Sequence, residues 1–392
     1  MDPSPAYDLD AARARIPILA RKVPMNNGSQ APQSDATRAA AELYLDVWNQ
    51  HGMDWDAWMD EVEAARSAFA RTINADAEDV AVATSVSQAV ASLVSALDFP
   101  AGGRIPGEGR STVVVTEAEF PSVAHVWGAQ RRRGARLRWI PVRDGGVDPH
   151  EIAAAIDEDT AIASVTHGYY QNGALLDPRP TVEAARRLGA LTFVDAYQTL
   201  GALPVDVKEM GVDALASGNM KFLMGVPGIA FLYVRREVAE RLEPAVTGWF
   251  GRSEPFAFQP RNVDWAPGAR RFDTGTPPVL AAYVARAGME LLEDVGLDAI
   301  GRWNRVLSER LSEGGLERGF DLMSPRDPGA RTPTTAFRVA DSHRVEHRMM
   351  ERGVIPSARG PAIRLAPHYY STLDDVDRAL DTLASVLSGE SA

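Results

Sequence analysis

Ala161-Ile-Ala-Ser-Val-Thr166 and Leu191-Thr-Phe-Val-Asp195 are two apolar runs of strand length, and the residues between them carry helical spacing from Pro180 to Leu188. Such runs, with little polar alternation, suit strands covered on both faces, as in a parallel sheet flanked by helices. The pattern extends outward. Upstream, Asp79-Val-Ala-Val-Ala-Thr84 predicts a strand, and Ser85-Val86-Ser87-Gln88 opens a helix running to Leu97. Residues 112–116 form a β-branched strand, followed by a helix over 122–133 and a strand over 137–141. Downstream, 228–234 reads as a strand and 236–242 as a short helix. This alternation predicts an α/β fold whose ligands gather at the carboxyl ends of the strands.

Further out, Met25-Asn-Asn-Gly-Ser29 is turn chemistry, Asp35 caps a helix reaching Trp48, and a second helix spans 55–73. Residues 249–273 are rich in Pro, Gly and aromatic side chains without helical period, which suggests an ordered excursion. Helices over 278–295 and 306–311, strands over 334–339 and 362–365, and a final helix over 373–387 predict a smaller α+β domain. A chain of 392 residues exceeds what one core usually organises. The expected division is an irregular N-terminal segment (1–24), a large domain (25–277) and a small C-terminal domain (278–392).

The formal net charge of -12 opposes binding to phosphate backbones or anionic lipid, so no nucleic acid and no membrane is expected as a partner. The cluster Arg131, Arg132, Arg133, Arg136 and Arg138 reads as a solvated helix face. Cysteine is absent, which excludes disulfides, thiolate metal sites and a cysteine nucleophile. The start is polar and acidic, without an apolar leader, and no stretch has the length of a membrane span, so the chain is expected to be cytoplasmic.

Only three lysines occur, at 22, 208 and 221. Lys22 and Lys208 sit in polar, charged runs. Lys221 is framed by Met220, Phe222 and Leu223, which argues for burial, where an amine loses its charge and becomes usable. Asp195 ends a strand and can reach into the crevice. Ser85-Val86-Ser87 stands between strand and helix, where serine is a favoured cap and where backbone N–H groups also bind phosphate. Ser217 offers another hydroxyl four residues before Lys221. An amine, a carboxylate and a phosphate cradle are what pyridoxal 5′-phosphate (PLP) requires of its protein.

These residues, with Glu119-Phe-Pro-Ser122, Asp195-Ala-Tyr-Gln198, Ser217-Gly-Asn-Met-Lys221, Gly248-Trp-Phe-Gly251, Arg271-Phe-Asp-Thr-Gly-Thr-Pro277 and Arg364, stand in an order that resembles the class V aminotransferase group of fold-type I PLP enzymes. That group includes cysteine desulfurases, kynureninases and isopenicillin N epimerase-like proteins, and the resemblance runs from Asn26 to Val376. It implies the aspartate-aminotransferase fold, with a mixed, mostly parallel seven-stranded sheet. It also implies that Lys221 attaches the cofactor and serves as base at Cα, Phe120 stacks on the ring, Asp195 pairs with its nitrogen and Gln198 lies near its 3-hydroxyl. Val86, Ser87 and Ser217 would hold the phosphate with Thr276 of the other subunit, so a homodimer with shared sites is implied. Arg364 would clamp the substrate carboxylate, with Tyr170, Gln171 and Asn27 on the substrate side.

Lack of cysteine excludes desulfurase chemistry. Arg359-Gly-Pro-Ala-Ile-Arg364 looks closest to kynureninases, yet Met220 and Gln198 stand where those proteins carry tyrosine and histidine. The expected activity is a lyase performing β-elimination, with carbon-sulfur cleavage of a cysteine conjugate in specialised metabolism. The alternatives are an aminotransferase or decarboxylation-linked deaminase, and, from a different class, a catalytically inactive PLP-fold binding protein. Trp249, Phe250, Phe256 and Phe258 serve either packing or substrate recognition.

Overall fold

Strand Leu191–Asp195 lies at the middle of a seven-stranded sheet in the computed structural model, which describes residues 4–99, 109–261 and 264–389. Across the sheet the order is Val80–Ala83, Ala230–Val234, Ala214–Gly218, Leu191–Asp195, Thr160–Thr166, Thr112–Thr116 and Arg136–Ile140. Strand 230–234 is antiparallel to both of its neighbours and every other pairing is parallel. The carboxyl ends of the remaining six therefore emerge along one edge. Both faces are apolar: Phe69 stacks on Phe231 at 4.5 Å on one, and Trp127 meets Phe193 edge-on at 6.0 Å on the other.

Helix Asp35–His51 is capped by Ser34, in a reciprocal box with Thr37, one residue before the cap expected from sequence. Helix Val279–Val295, expected to open the smaller domain, packs instead on helices Asp35–His51 and Trp55–Thr72. Tyr283 meets Tyr44 edge-on at 5.7 Å, and Arg71 pairs with Glu293 at 2.8 Å. A separate core gathers Trp303, Leu307, Phe337, Ile363 and Leu380. It includes Val23 and Met25 from the start of the chain.

The lead is more ordered than its composition suggests. It forms helix Leu9–Ala14, and Val23–Pro24 pairs in parallel with Val354–Ile355. Residues 1–3 of that lead lie outside the described residues. The second sheet is antiparallel, ordered Ser357–Arg359, Ala362–Leu365, Thr335–Arg338 and Asp321–Leu322.

The arginine cluster is only partly a solvated face. Arg131 and Arg132 are exposed, but Arg133 donates to the carbonyls of Val94 (3.0 Å) and Leu97 (2.6 Å), satisfying the end of helix Val86–Ser95. Arg136 and Arg138 pair with Asp159 and Asp157. Among the described residues no helix is long and apolar enough to cross a membrane.

Candidate active site

Lys221 follows strand Ala214–Gly218 and is 8 % exposed, while Asp195, at the end of the adjacent strand, is 6 % exposed. Burial is the first cause acting on both groups. It lowers the Lys221 amine from its ordinary value to about 7, against the attraction of Asp195 and with the repulsion of Arg364 and Arg359. It raises the Asp195 carboxyl, against the Tyr197 N–H and the charge of Lys221. One oxygen of Asp195, Oδ1, accepts from the backbone N–H of Tyr197 at 2.9 Å. The other makes no hydrogen bond among the described residues.

Aromatic rings enclose the amine. Nζ of Lys221 lies 3.9 Å from the centre of the Tyr197 ring and 5.5 Å from that of Phe120. Phe120, at the start of helix Pro121–Ala129, is braced edge-on by Tyr170 at 5.1 Å yet remains 38 % exposed. An open aromatic face over a buried amine, beside a carboxylate with one unbonded oxygen, fits the flat, protonated pyridine ring of PLP.

The residues expected to hold the phosphate stand at the ends of neighbouring elements. Ser85, rather than Ser87, caps helix Val86–Ser95, accepting from Gln88 N–H at 3.2 Å. Val86 is buried and Ser87 half-buried, in the first turn. Ser217 is buried and donates to the Gly218 carbonyl at 2.9 Å. Thr276 is exposed, and the turn bearing it is tied back to that helix by a bond from Gln88 Nε2 to Thr274 Oγ1 (2.7 Å). Gln198 is buried, its Nε2 donating to the Gly28 carbonyl at 3.0 Å.

Of the residues expected on the substrate side, Arg364 is 1 % exposed. It donates to the Tyr170 carbonyl, to Ser29 Oγ at 2.8 Å and to Ser357 Oγ at 2.8 Å. Burial lowers it to about 9. Gln171 Nε2 reaches the Tyr170 hydroxyl at 3.3 Å. Asn27 is fully buried: its amide donates to the Ala366 carbonyl (2.7 Å) and accepts from the Tyr370 hydroxyl (2.6 Å). It ties the Ala366 backbone to the Tyr370 side chain.

Several participants have no individual signal in the sequence. Glu119 is buried, with Oε1 accepting from Ser164 Oγ (2.7 Å), which in turn accepts from the Trp127 indole (2.9 Å), while Oε2 has no partner among the described residues. Burial and the Asp195 charge raise it to about 8. His368 Nδ1 accepts from Tyr369 N–H (2.8 Å), so Nε2 carries the proton donated to the Phe222 carbonyl (2.9 Å), pinning the residue after Lys221. Tyr197, Ser29, Ser357 and Arg359 complete the surroundings. Ser29 and Ser357 are short polar residues that only tertiary structure brings to Arg364.

The profile of the family described as Aminotransferase class-V matches residues 34–370. The chain is 34% identical to an uncharacterized aminotransferase, YcbU, of Bacillus subtilis, over 95% of this chain and 96% of that one. It is 27% identical to a kynureninase of Pseudomonas fluorescens, over 92% and 88%. In fold it is similar to the apo cysteine desulfurase of Thermococcus onnurineus (TM-score 0.85, 22% identity, 97% and 98% covered). It is also similar to the cystine C-S lyase C-DES in complex with its product cysteine persulfide (TM-score 0.84, 21% identity, 94% and 99%). With amine, strand-end carboxylate and open aromatic face already in one place, the match makes this chain a PLP-dependent enzyme belonging to the aminotransferase class-V family.

Proposed function

We propose that the enzyme is a lyase that releases a thiol from a cysteine conjugate by β-elimination. The observation carrying this reading is the Lys221 amine, brought down by burial to about 7 between two aromatic rings and within electrostatic reach of Arg364, so that a substantial fraction is neutral at pH 7. A neutral amine removes a proton, and a buried guanidinium anchors a carboxylate. PLP, when bound, supplies the sink for the electron pair left when a bond at Cα breaks.

The protein's own groups do the rest. Arg364 holds the α-carboxylate and so fixes which Cα bond faces the base. Lys221 takes the Cα proton and returns a proton to the departing sulfur. The carbon-sulfur bond breaks, and addition of water leaves pyruvate, ammonia and the free thiol. Phe120 and Tyr197 keep water from the amine, and Asp195 would hold positive charge at the ring nitrogen of the bound cofactor. Val86, Ser87 and Ser217 form the phosphate cradle, completed by Thr276 of a second subunit, with Tyr170 and Gln171 at the substrate's side chain.

A second reading, transamination, is favoured by the 34% identical relative named an aminotransferase. Absorbance titration of wild type and Lys221→Ala with amino acids and S-substituted cysteines, followed by product analysis, separates the two. Pyruvate with a stoichiometric thiol, lost in Lys221→Ala, supports elimination. A keto acid with no thiol establishes transamination, and a cofactor spectrum that no amino acid perturbs leaves only a binding role.

A further inference from the structure

Arg364 is not the only guanidinium at its end of the site. Ser357–Arg359 and Ala362–Leu365 form a hairpin in which Ser357 faces Arg364 and Arg359 faces Ala362. Alternation along each strand then places Arg359 and Arg364 on the same face, as diagonal neighbours. Both converge on one hydroxyl: Ser29 Oγ accepts from Arg364 Nη2 at 2.8 Å and from Arg359 Nη2 at 3.3 Å.

Among the described residues neither arginine makes an ion pair. The acid that Arg364 does feel, Glu346, uses an oxygen to accept the Ala358 N–H at 2.8 Å. Two like charges thus share a neutral oxygen, one of them buried, and both repel the Lys221 amine. Buried charge is ordinarily compensated. One α-carboxylate compensates one guanidinium and leaves the other over.

We infer that the substrate's side chain carries a second carboxylate, recognised by Arg359 beside the Arg364 anchor. This rests on the reading of Arg364 as the α-carboxylate anchor, and it narrows the substrate to a dicarboxylic amino acid, such as a cysteine conjugate of a carboxylic acid. Arg359 is half-buried and stands beside the exposed Gly360-Pro361 turn that closes the hairpin, so the second acid would sit toward solvent while the α-carboxylate lies deeper.

The test is calorimetric binding to the holoenzyme of acids that lack an amine and cannot react: succinate, glutarate and adipate against butyrate, valerate and hexanoate. Wild type should bind the best diacid roughly tenfold or more tightly than the monoacid of the same length, as a hydrogen-bonded charge pair requires. Arg359→Gln should abolish that preference by weakening the diacids far more than the monoacids, Arg359→Lys should restore part of it, and Arg364→Gln should weaken both series. Equal binding of diacids and monoacids by wild type, or a preference that survives Arg359→Gln, overturns the proposal. If Arg364→Gln leaves both series intact, the anchor reading itself fails. A diacid preference with no thiol released from any conjugate keeps the inference and removes only the elimination chemistry.

Discussion

Nζ of Lys221 stands 3.9 Å from the centre of the Tyr197 ring, two residues beyond the carboxylate of Asp195. The ring attracts an ammonium but also excludes the water that an ammonium needs, and desolvation is the leading cause of the lowered value. Tyr197→Ala should therefore raise the Lys221 pKa by about one pH unit or more. Amine labelling of the apo protein across pH, resolved by mass spectrometry, reads this directly because Lys22 and Lys208 serve as internal controls. An unchanged midpoint would assign the lowering to other walls of the site.

Gly218 allows that contact. A Cβ there would lie 2.2 Å from Cζ of Tyr197. Gly218→Ala should push the ring off the amine at a cost of about 1–3 kcal/mol, as overpacking does. Cofactor retention on gel filtration should fall, while circular dichroism stays that of the wild type.

Glu119 sets a pH dependence. Its folded value, about 8, exceeds the ordinary carboxyl value, so its contribution is fully present below the unfolded pKa and is lost as pH rises through 8. Urea denaturation of the apo protein should show Glu119→Gln gaining on wild type between pH 5 and 8, by a few kcal/mol at most. Parallel curves over that interval would mean that Glu119 is ionised throughout.

Arg66 and Asp273 form a buried pair at 2.8 Å, and Asp273 also accepts the Val82 N–H at 2.7 Å. Asp273→Ala leaves the buried guanidinium only the more exposed Glu63, at 3.3 Å, and should cost up to about 3–5 kcal/mol, whereas replacing both by apolar residues of similar volume should cost much less. Denaturation of the single and double variants checks the order. The same substitution should loosen the turn carrying Thr276.

Thr276 also tests the proposed shared site. Mixing Lys221→Ala with Thr276→Val protomers should restore up to about a quarter of wild-type activity if each site draws on both chains, because one of the two sites in a mixed dimer is then intact. No recovery on mixing would place Thr276 and Lys221 of the same chain in one site.

Strand Leu191–Asp195 and the residues around it were legible because local pattern and tertiary environment agree: the run is apolar and is buried on both faces. Helix Leu297–Glu317 was legible only over 306–311 because its glycines break the period. Those glycines admit close packing instead: a Cβ on Gly301 would meet Pro204 at 2.8 Å, and one on Gly315 would meet the Phe337 ring at 2.4 Å. Helix Ser342–Glu351 was missed because it is mostly polar and buries little. Within the site, Lys221 and Asp195 announce themselves by an apolar frame. Ser29, more than 300 residues before Arg364, has nothing local to mark it.

The pairing of Val23–Pro24 with Val354–Ile355, and the seating of Met25 in the core that holds Leu380, set an order of events during synthesis. Residues 23–25 have no partner until the chain around residue 354 has followed. The central sheet is complete in sequence by residue 234 and can assemble in the meantime. Ser29 and the backbone of Gly28, which complete the surroundings of Arg364 and Gln198, thus reach their places only after residues 354–364 have been made. A nascent chain stalled before residue 354 would carry Lys221 and Asp195 on a formed sheet while Arg364 and its surroundings are still unmade.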